Sequence, residues 1–278
     1  MTSIGKSQAF LSALGNDPSR DFDIALAALH LAALRRTKPD LAGAENHIED
    51  LSATLTGIVK SEPPEDAAAA ALALSEAIAT RNRYRGDDQT YDDLKNADLL
   101  SVIERRKGLP VALGILYICI ARRQGWTAYG LNFPGHFLVA LELGGERSIV
   151  DPFHEGARRT PPELRELLKM VEGQDAELEH NMFMTIPDRG VLLRLQSNIR
   201  LRQIQKGSFS EAAETLESML LIAPEQSYLW RQAGMLQTQI GNLGAALQLF
   251  GEAREREKNP ARRQEIAVMI QQLRRRLN

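Results

Sequence analysis

At 278 residues, with 44% hydrophobic and 25% charged side chains, the chain has the make-up of a globular protein long enough for two domains. Its formal net charge of −2 excludes the broad basic field that holds nucleic acid or an anionic membrane. The single cysteine, Cys119, excludes an intrachain disulfide, and aromatics at 5% argue against an all-β sandwich.

The first ten residues lack a basic region followed by an apolar run, so no secretory signal is expected. The longest central apolar run, Val111 to Ala121, is shorter than the roughly 20 residues needed to cross a bilayer. A cytoplasmic protein is the expectation.

Residues 1–80 read as an N-terminal helical region. Asp21 is placed to cap a helix with Ile24, Leu26, Leu29, Leu31 and Leu34 as its apolar positions, ending near Arg35 and Arg36 before Pro39 breaks it. Ile48, Leu51, Leu55 and Ile58 follow at three- and four-residue steps, which predicts a second helix. The loop Ser61 to Asp66 opens a third over the alanine run from Ala67, small enough for close helix packing.

Residues 81–189 change character. Arg81 to Asp98 is polar and irregular, with Asn96 or Asp98 placed to cap a helix over Leu99 to Arg106 and Gly108 suited to follow its end. Pro110 falls where proline is tolerated, at the start of a helix that runs to about Gln124, apolar nearly all round and therefore buried. Cys119, well inside it with no activating cation expected, reads as structural.

Strand patterns follow at Thr127 to Phe133, His136 to Leu143 and Arg147 to Val150, the last two joined by a tight turn at Gly144-Gly145-Glu146. Such a hairpin brings His136 and Asp151 together at its open end. A helix starts at Pro161-Pro162-Glu163, Phe183 to Ile186 suggests a strand closing the sheet, and Pro187 to Gly190 reads as a boundary.

Residues 190–278 are helical and repetitive. Gly207 and Gly241, Ala212 and Ala246, and Leu216 and Phe250 each lie 34 residues apart, the tetratricopeptide period. The second unit has the fuller pattern: Trp230, Ala233, Gly234, Ala246, Phe250, Ala253 and Pro260. The first has Gln196 and Arg200 where an aromatic and a small residue are usual. Ala261 to Leu277 suits a polar cap on the stack.

A thiol-based acyl-transfer triad needs a sulfur at a helix N-terminus, a histidine to exchange its proton and an acid to orient that histidine. His136 and Asp151 supply the last two. Leu109, Pro110, Val111 and Ala112, at the helix start, supply no nucleophile. His30, His47, His154 and His180 show no ligand spacing with cysteine or acids, so no metal is expected, and no cofactor.

The run G-L-P-V-A-L, A-R-R-Q-G-W, N-F-P-G-H-F-L-V and V-D-P-F, preceded by Y-R-G-D and N-A-D-L-L-S-V-I-E-R-R-K, resembles the SirB-type bacterial family. These proteins carry a transglutaminase-like domain and a tetratricopeptide-like tail. The resemblance covers about residues 80 to 260 and is strongest over 96 to 156. It implies an α+β fold: a mostly helical N-terminal region, a papain- or transglutaminase-like core with a small antiparallel sheet, and C-terminal helical hairpins. It also matches His136 and Asp151 to the histidine and aspartate of active transglutaminases, and sets the nucleophile position at Pro110, within one residue.

The expected function is a non-catalytic scaffold or interaction protein whose partner is an unidentified protein or peptide, with no nucleic acid and no membrane. Trp230, Arg200 and Gln237 are its candidate contact residues. The alternative is an enzyme of the cysteine-protease or transglutaminase class that uses His136 and Asp151 with Cys119 or another atypical nucleophile.

Overall fold

The computed structural model describes residues 3–277. Contacts divide them into two compact units: residues 22–195, and residues 1–21 together with 196–278.

Helix α1 spans Ser3–Asn16, α2 Ile24–Ala33 and α3 Leu41–Ser61. The cap of α2 is Asp23, not Asp21: its carboxylate accepts from the backbone N–H groups of Ala25 and Leu26, satisfying donors that the helix itself leaves open. Helix α4, Ala67–Ser75, is capped by Asp66 and continues as a π-helical turn over Glu76–Arg81, which the alanine run did not foretell.

The polar connection contains strand β1, Arg85–Gly86, and a 3-10 turn over Leu94–Ala97. Asp98 caps α5, Leu99–Arg105. The left-handed residue ending α5 is Arg106 (φ 58°), not a glycine. Gly108 instead lies in β2, Lys107–Gly108, which runs parallel to β1. A side chain at Gly108 would collide with Val102, so the residue is small for packing rather than for its turn. Helix α6, Pro110–Arg123, has Pro110 in its first turn and every residue from Pro110 to Ala121 buried, as its all-round apolar pattern demands.

The main sheet has five antiparallel strands in the order β6-β5-β4-β3-β7: β3 Thr127–Leu131, β4 Val139–Leu143, β5 Glu146–Asp151, β6 Ala157–Arg158 and β7 Thr185–Ile186. Alternation sorts its faces. Leu131, Leu138 and Ala140 join Leu164 and Leu168 of α7, Pro161–Glu172, in one apolar cluster. Val139 points the other way, towards Gly114 of α6. Each fully buried branched side chain here is worth roughly 1.5–3 kcal/mol over its exposed state.

The remaining helices are α8 Asp188–Gln205, α9 Phe209–Ile222, α10 Ser227–Ile240, α11 Leu243–Arg256 and α12 Pro260–Leu277. Helix α8 begins at Asp188, directly after Pro187. Helix α1 packs with α9: a Cβ on Gly15 would lie 2.1 Å from the Leu221 carbonyl oxygen. Gly207 (φ 75°) and Gly241 (φ 90°) occupy corresponding turns after α8 and α10. Ala246, Phe250 and Ala253 of α11 close a core with Ile266, Ile270 and Leu273 of α12. Gly234 lets α10 approach the Phe250 ring.

Candidate functional site

The β4–β5 register pairs Val139 with Val150 and Leu143 with Glu146. Continued outwards, it would set His136 opposite Phe153, two residues beyond Asp151. His136 is therefore not on the strand as expected. It sits in the preceding loop, after the positive-φ residue Gly135, and the bend of that loop closes the gap. The two side chains do meet: His136 Nε2 lies 2.8 Å from Asp151 Oδ1.

Neighbouring groups fix the loop. The Phe137 ring is wedged between Gly114 of α6 and Gly130 of β3, where a Cβ would come within 2.3 and 2.6 Å of it. Arg194 covers that ring at 5.5 Å and donates to the His136 carbonyl at 2.7 Å. Residue 136 is held by its backbone as well as its imidazole.

Asp151 is fully buried and saturated with donors. Its Oδ1 also accepts from the backbone N–H groups of Phe153 and His154, at 3.1 and 3.4 Å. Its Oδ2 takes His154 Nδ1 at 2.8 Å and two Arg159 nitrogens, Nη2 at 2.7 Å and Nε at 3.0 Å. Burial alone would raise the carboxyl pKa, but the bonds from His136, Arg159 and His154 outweigh it and hold the group well below the usual carboxylate range. A carboxylate only accepts, so both imidazole nitrogens facing it carry protons. In the neutral rings, His136 Nδ1 and His154 Nε2 then hold the lone pairs, which for His136 is the orientation an acid imposes on a base in a triad.

His154 reaches Asp151 because a 3-10 turn over Pro152–His154 follows β5, capped by Asp151 itself. Sequence spacing gave it no acidic partner; the turn supplies one. His136, Asp151 and His154 form a donor set of the kind that binds transition metals, all three atoms within 4.8 Å. The Arg159 guanidinium already supplies a cation to that carboxylate. The chain then reverses through Glu155 (φ 55°) and Gly156 (φ 75°), where a Cβ would fall 2.2 Å from Ser75 Oγ and 2.6 Å from the Tyr117 hydroxyl.

A pocket of about 550 Å³ opens beside the cluster, lined by Arg85, Asp87, Lys107, Phe153, His154 and Glu155 among others. Asp87 is buried and paired with Arg105 at 2.7 Å and Lys107 at 3.2 Å. Burial opposes its ionisation, but bonds from Thr90 and the Lys107 charge keep its pKa far below normal. Buried Asn96 accepts from Arg105 and, through its carbonyl, from the Leu109 N–H that begins α6. The Y-R-G-D and E-R-R-K segments thereby brace the start of that helix.

The N-terminal turn of α6 carries no hydroxyl or thiol. Cys119 lies nine residues further on, about 13 Å along the axis at 1.5 Å per residue. Its buried sulfur rests 3.6 and 3.7 Å from the Asp23 carboxylate oxygens. Burial, reinforced by that carboxylate, pushes the thiol pKa up to about 12. Cys119 is absent from the cluster around Asp151, and its chemistry is that of an inert core thiol.

The other candidate residues lie in the C-terminal helices. Trp230 donates to the Pro224 carbonyl at 2.7 Å and is covered by Arg256 at 4.7 Å, so its ring is committed to packing. Arg200 hydrogen-bonds Gln232, and Gln237 is partly exposed on α10. Sequence reasoning missed Arg159, His154, Arg194 and Asp87. For Asp87, its place in Y-R-G-D was the one available signal.

A family model for the transglutaminase-like superfamily matches residues 42–197, more than half of the chain, and the protein belongs to that superfamily. A UPF0162 protein of Xylella fastidiosa is 32% identical over 167 residues, which is 59% of each chain. A UPF0162 protein of Pseudomonas aeruginosa is 27% identical over 272 residues, 94% of this chain and 96% of its own. Human F-box only protein 21 is 25% identical over 168 residues, 56% of this chain but 26% of its own length. The match thus spans 59% of the Xylella relative, whereas the Pseudomonas one aligns nearly end to end.

Proposed function

Starting from membership of the transglutaminase-like superfamily, we propose that this protein is a non-catalytic interaction module of the SirB type. Its transglutaminase-like cleft has lost the attacking atom, and its tail of tetratricopeptide-like hairpins serves protein contact in the cytoplasm. One observation carries the reading: base and orienting acid are assembled at 2.8 Å, while the turn that would present a nucleophile holds Leu109, Pro110, Val111 and Ala112. The lone thiol is buried elsewhere, against Asp23. Recurrence of a similar segment within the longer F-box only protein 21 fits a domain used as one module among others.

The test is direct. Purified protein is incubated with glutamine- and lysine-containing peptide libraries, and products are read by mass spectrometry. No cleavage or cross-linking is expected. Turnover by the wild type that disappears in His136→Ala would instead establish the second reading, an acyl-transfer enzyme with an atypical nucleophile, which the intact His136–Asp151 pair favours.

A further inference from the structure

A groove of about 550 Å³ lies between the end of α3 and the outer face of α4. Its apolar lining includes Ile58, Ala69 and Leu72, with the Pro63-Pro64 pair beside them. Leu72 is 62% exposed. It stands on a helix whose inward positions, Ala67, Ala70, Ala71, Ala73 and Leu74, already meet the packing needs of the core. A single large aliphatic side chain on the outward face adds nothing to that core, and here it lines the groove. Consecutive prolines hold that segment in a preset backbone, which lowers the entropy the segment itself loses when a ligand binds.

The rim has one sign of charge. The lining contains four carboxylates, Glu62, Glu65, Asp66 and Glu76, and no cation. Two are already engaged: Asp66 caps α4, and Glu76 pairs with Arg81 at 3.1 Å. Glu62 and Glu65 are exposed, and no cation engages either among the described residues. An aliphatic lining beside unneutralised carboxylates repels anionic lipid and nucleic acid, and complements a peptide in which an aliphatic residue is flanked by arginine or lysine.

We propose that the α3–α4 groove docks a basic segment of a partner protein, with an aliphatic side chain on Leu72 and flanking cations on Glu62 and Glu65. The site is separate from His136 and Asp151 and does not depend on whether that cluster is catalytic.

The experiment uses the full chain and a fluorescein-labelled synthetic peptide with two leucines flanked on each side by two arginines, read by anisotropy. Two control peptides replace the arginines by glutamate or the leucines by serine. Saturable binding is expected for the first peptide only. Affinity should fall about tenfold or more in Leu72→Glu, and by a similar factor in Glu62→Lys/Glu65→Lys. Both variants alter exposed positions, and circular dichroism checks that they fold. Raising salt from about 50 to 500 mM should weaken binding, because rim charges are screened. His136→Ala should leave binding unchanged, so failure here and failure of the proposed function are told apart. Absence of binding, equal affinity of the serine control, equal affinity of the variants, or self-association of the chain abolished by Leu72→Glu would each overturn the proposal.

Discussion

Replacing Asp151 by asparagine removes a charge and turns one acceptor into a donor at the most heavily bonded side chain of the candidate site. The cost follows from its partners. With the new NH₂ group at the Oδ2 position it faces both Arg159 nitrogens; at the Oδ1 position it faces the backbone N–H groups of Phe153 and His154. An imidazole escapes by changing tautomer, but a guanidinium and a peptide N–H cannot. Either way at least two donors lose their acceptor, at about 1–3 kcal/mol for each buried one. Arg159, only 20% exposed, also loses its counter-charge, and breaking such a buried pair typically costs about 3–5 kcal/mol. These figures overlap rather than add, so Asp151→Asn should lower stability by about 3–5 kcal/mol. With an m-value near 2 kcal/mol/M, the urea midpoint shifts by roughly 1.5–2.5 M. Trp126 fluorescence in a Trp230→Phe background reads out the unit of residues 22–195. The pH dependence has a definite sign. The folded pKa of Asp151 is depressed, so its contribution is present above the unfolded value near 3.9 and is lost as pH falls towards the folded one. The difference between wild type and variant should therefore narrow below about pH 4. A loss under about 1 kcal/mol at neutral pH would show that the carboxylate is not the hub the geometry makes it.

Three further outcomes test other parts of the structure. Gly156→Ala should cost about 2–4 kcal/mol, since it combines a left-handed backbone with a collision at Ser75 and Tyr117; Gly145→Ala, with similar φ but open space, should cost about 1–2 kcal/mol, and equal losses in urea melts would refute the steric account. Cys119 should react with a thiol reagent at pH 8 at least about a hundredfold more slowly in the native protein than in urea, and fast native labelling would contradict its burial against Asp23. Gly15→Ala should force α1 away from Leu221 and destabilise by about 1–3 kcal/mol the unit reported by Trp230, with Trp126 unaffected; a shift seen only at Trp126 would contradict the grouping of α1 with the C-terminal helices.

Local order was largely legible in the sequence, because its causes are local. Period-3.6 spacing placed the helices, all-round apolarity buried α6, and turn glycines marked the β4–β5 hairpin. From that hairpin the meeting of His136 and Asp151 followed, although His136 lies in a loop. The cap of α2 slipped by two residues because Asp21 and Asp23 both suit capping, and only the backbone path selects one. Gly108 suits a helix end by its sequence position, but its smallness serves contact with Val102.

Composition and spacing by themselves determined a mostly helical chain with a short run of strands and the pairing of one imidazole with one carboxylate; the α+β core and the matching of Pro110 to a nucleophile position were implied only by the family resemblance. Tertiary structure alone decided that Arg159 and His154 share Asp151, that Arg194 fastens the His136 loop, and that α1 groups with residues 196–278. The physical reason is range: periodicity and capping act over a few residues, whereas a guanidinium eight positions away or a helix two hundred positions away finds its partner only when the folded backbone closes the distance.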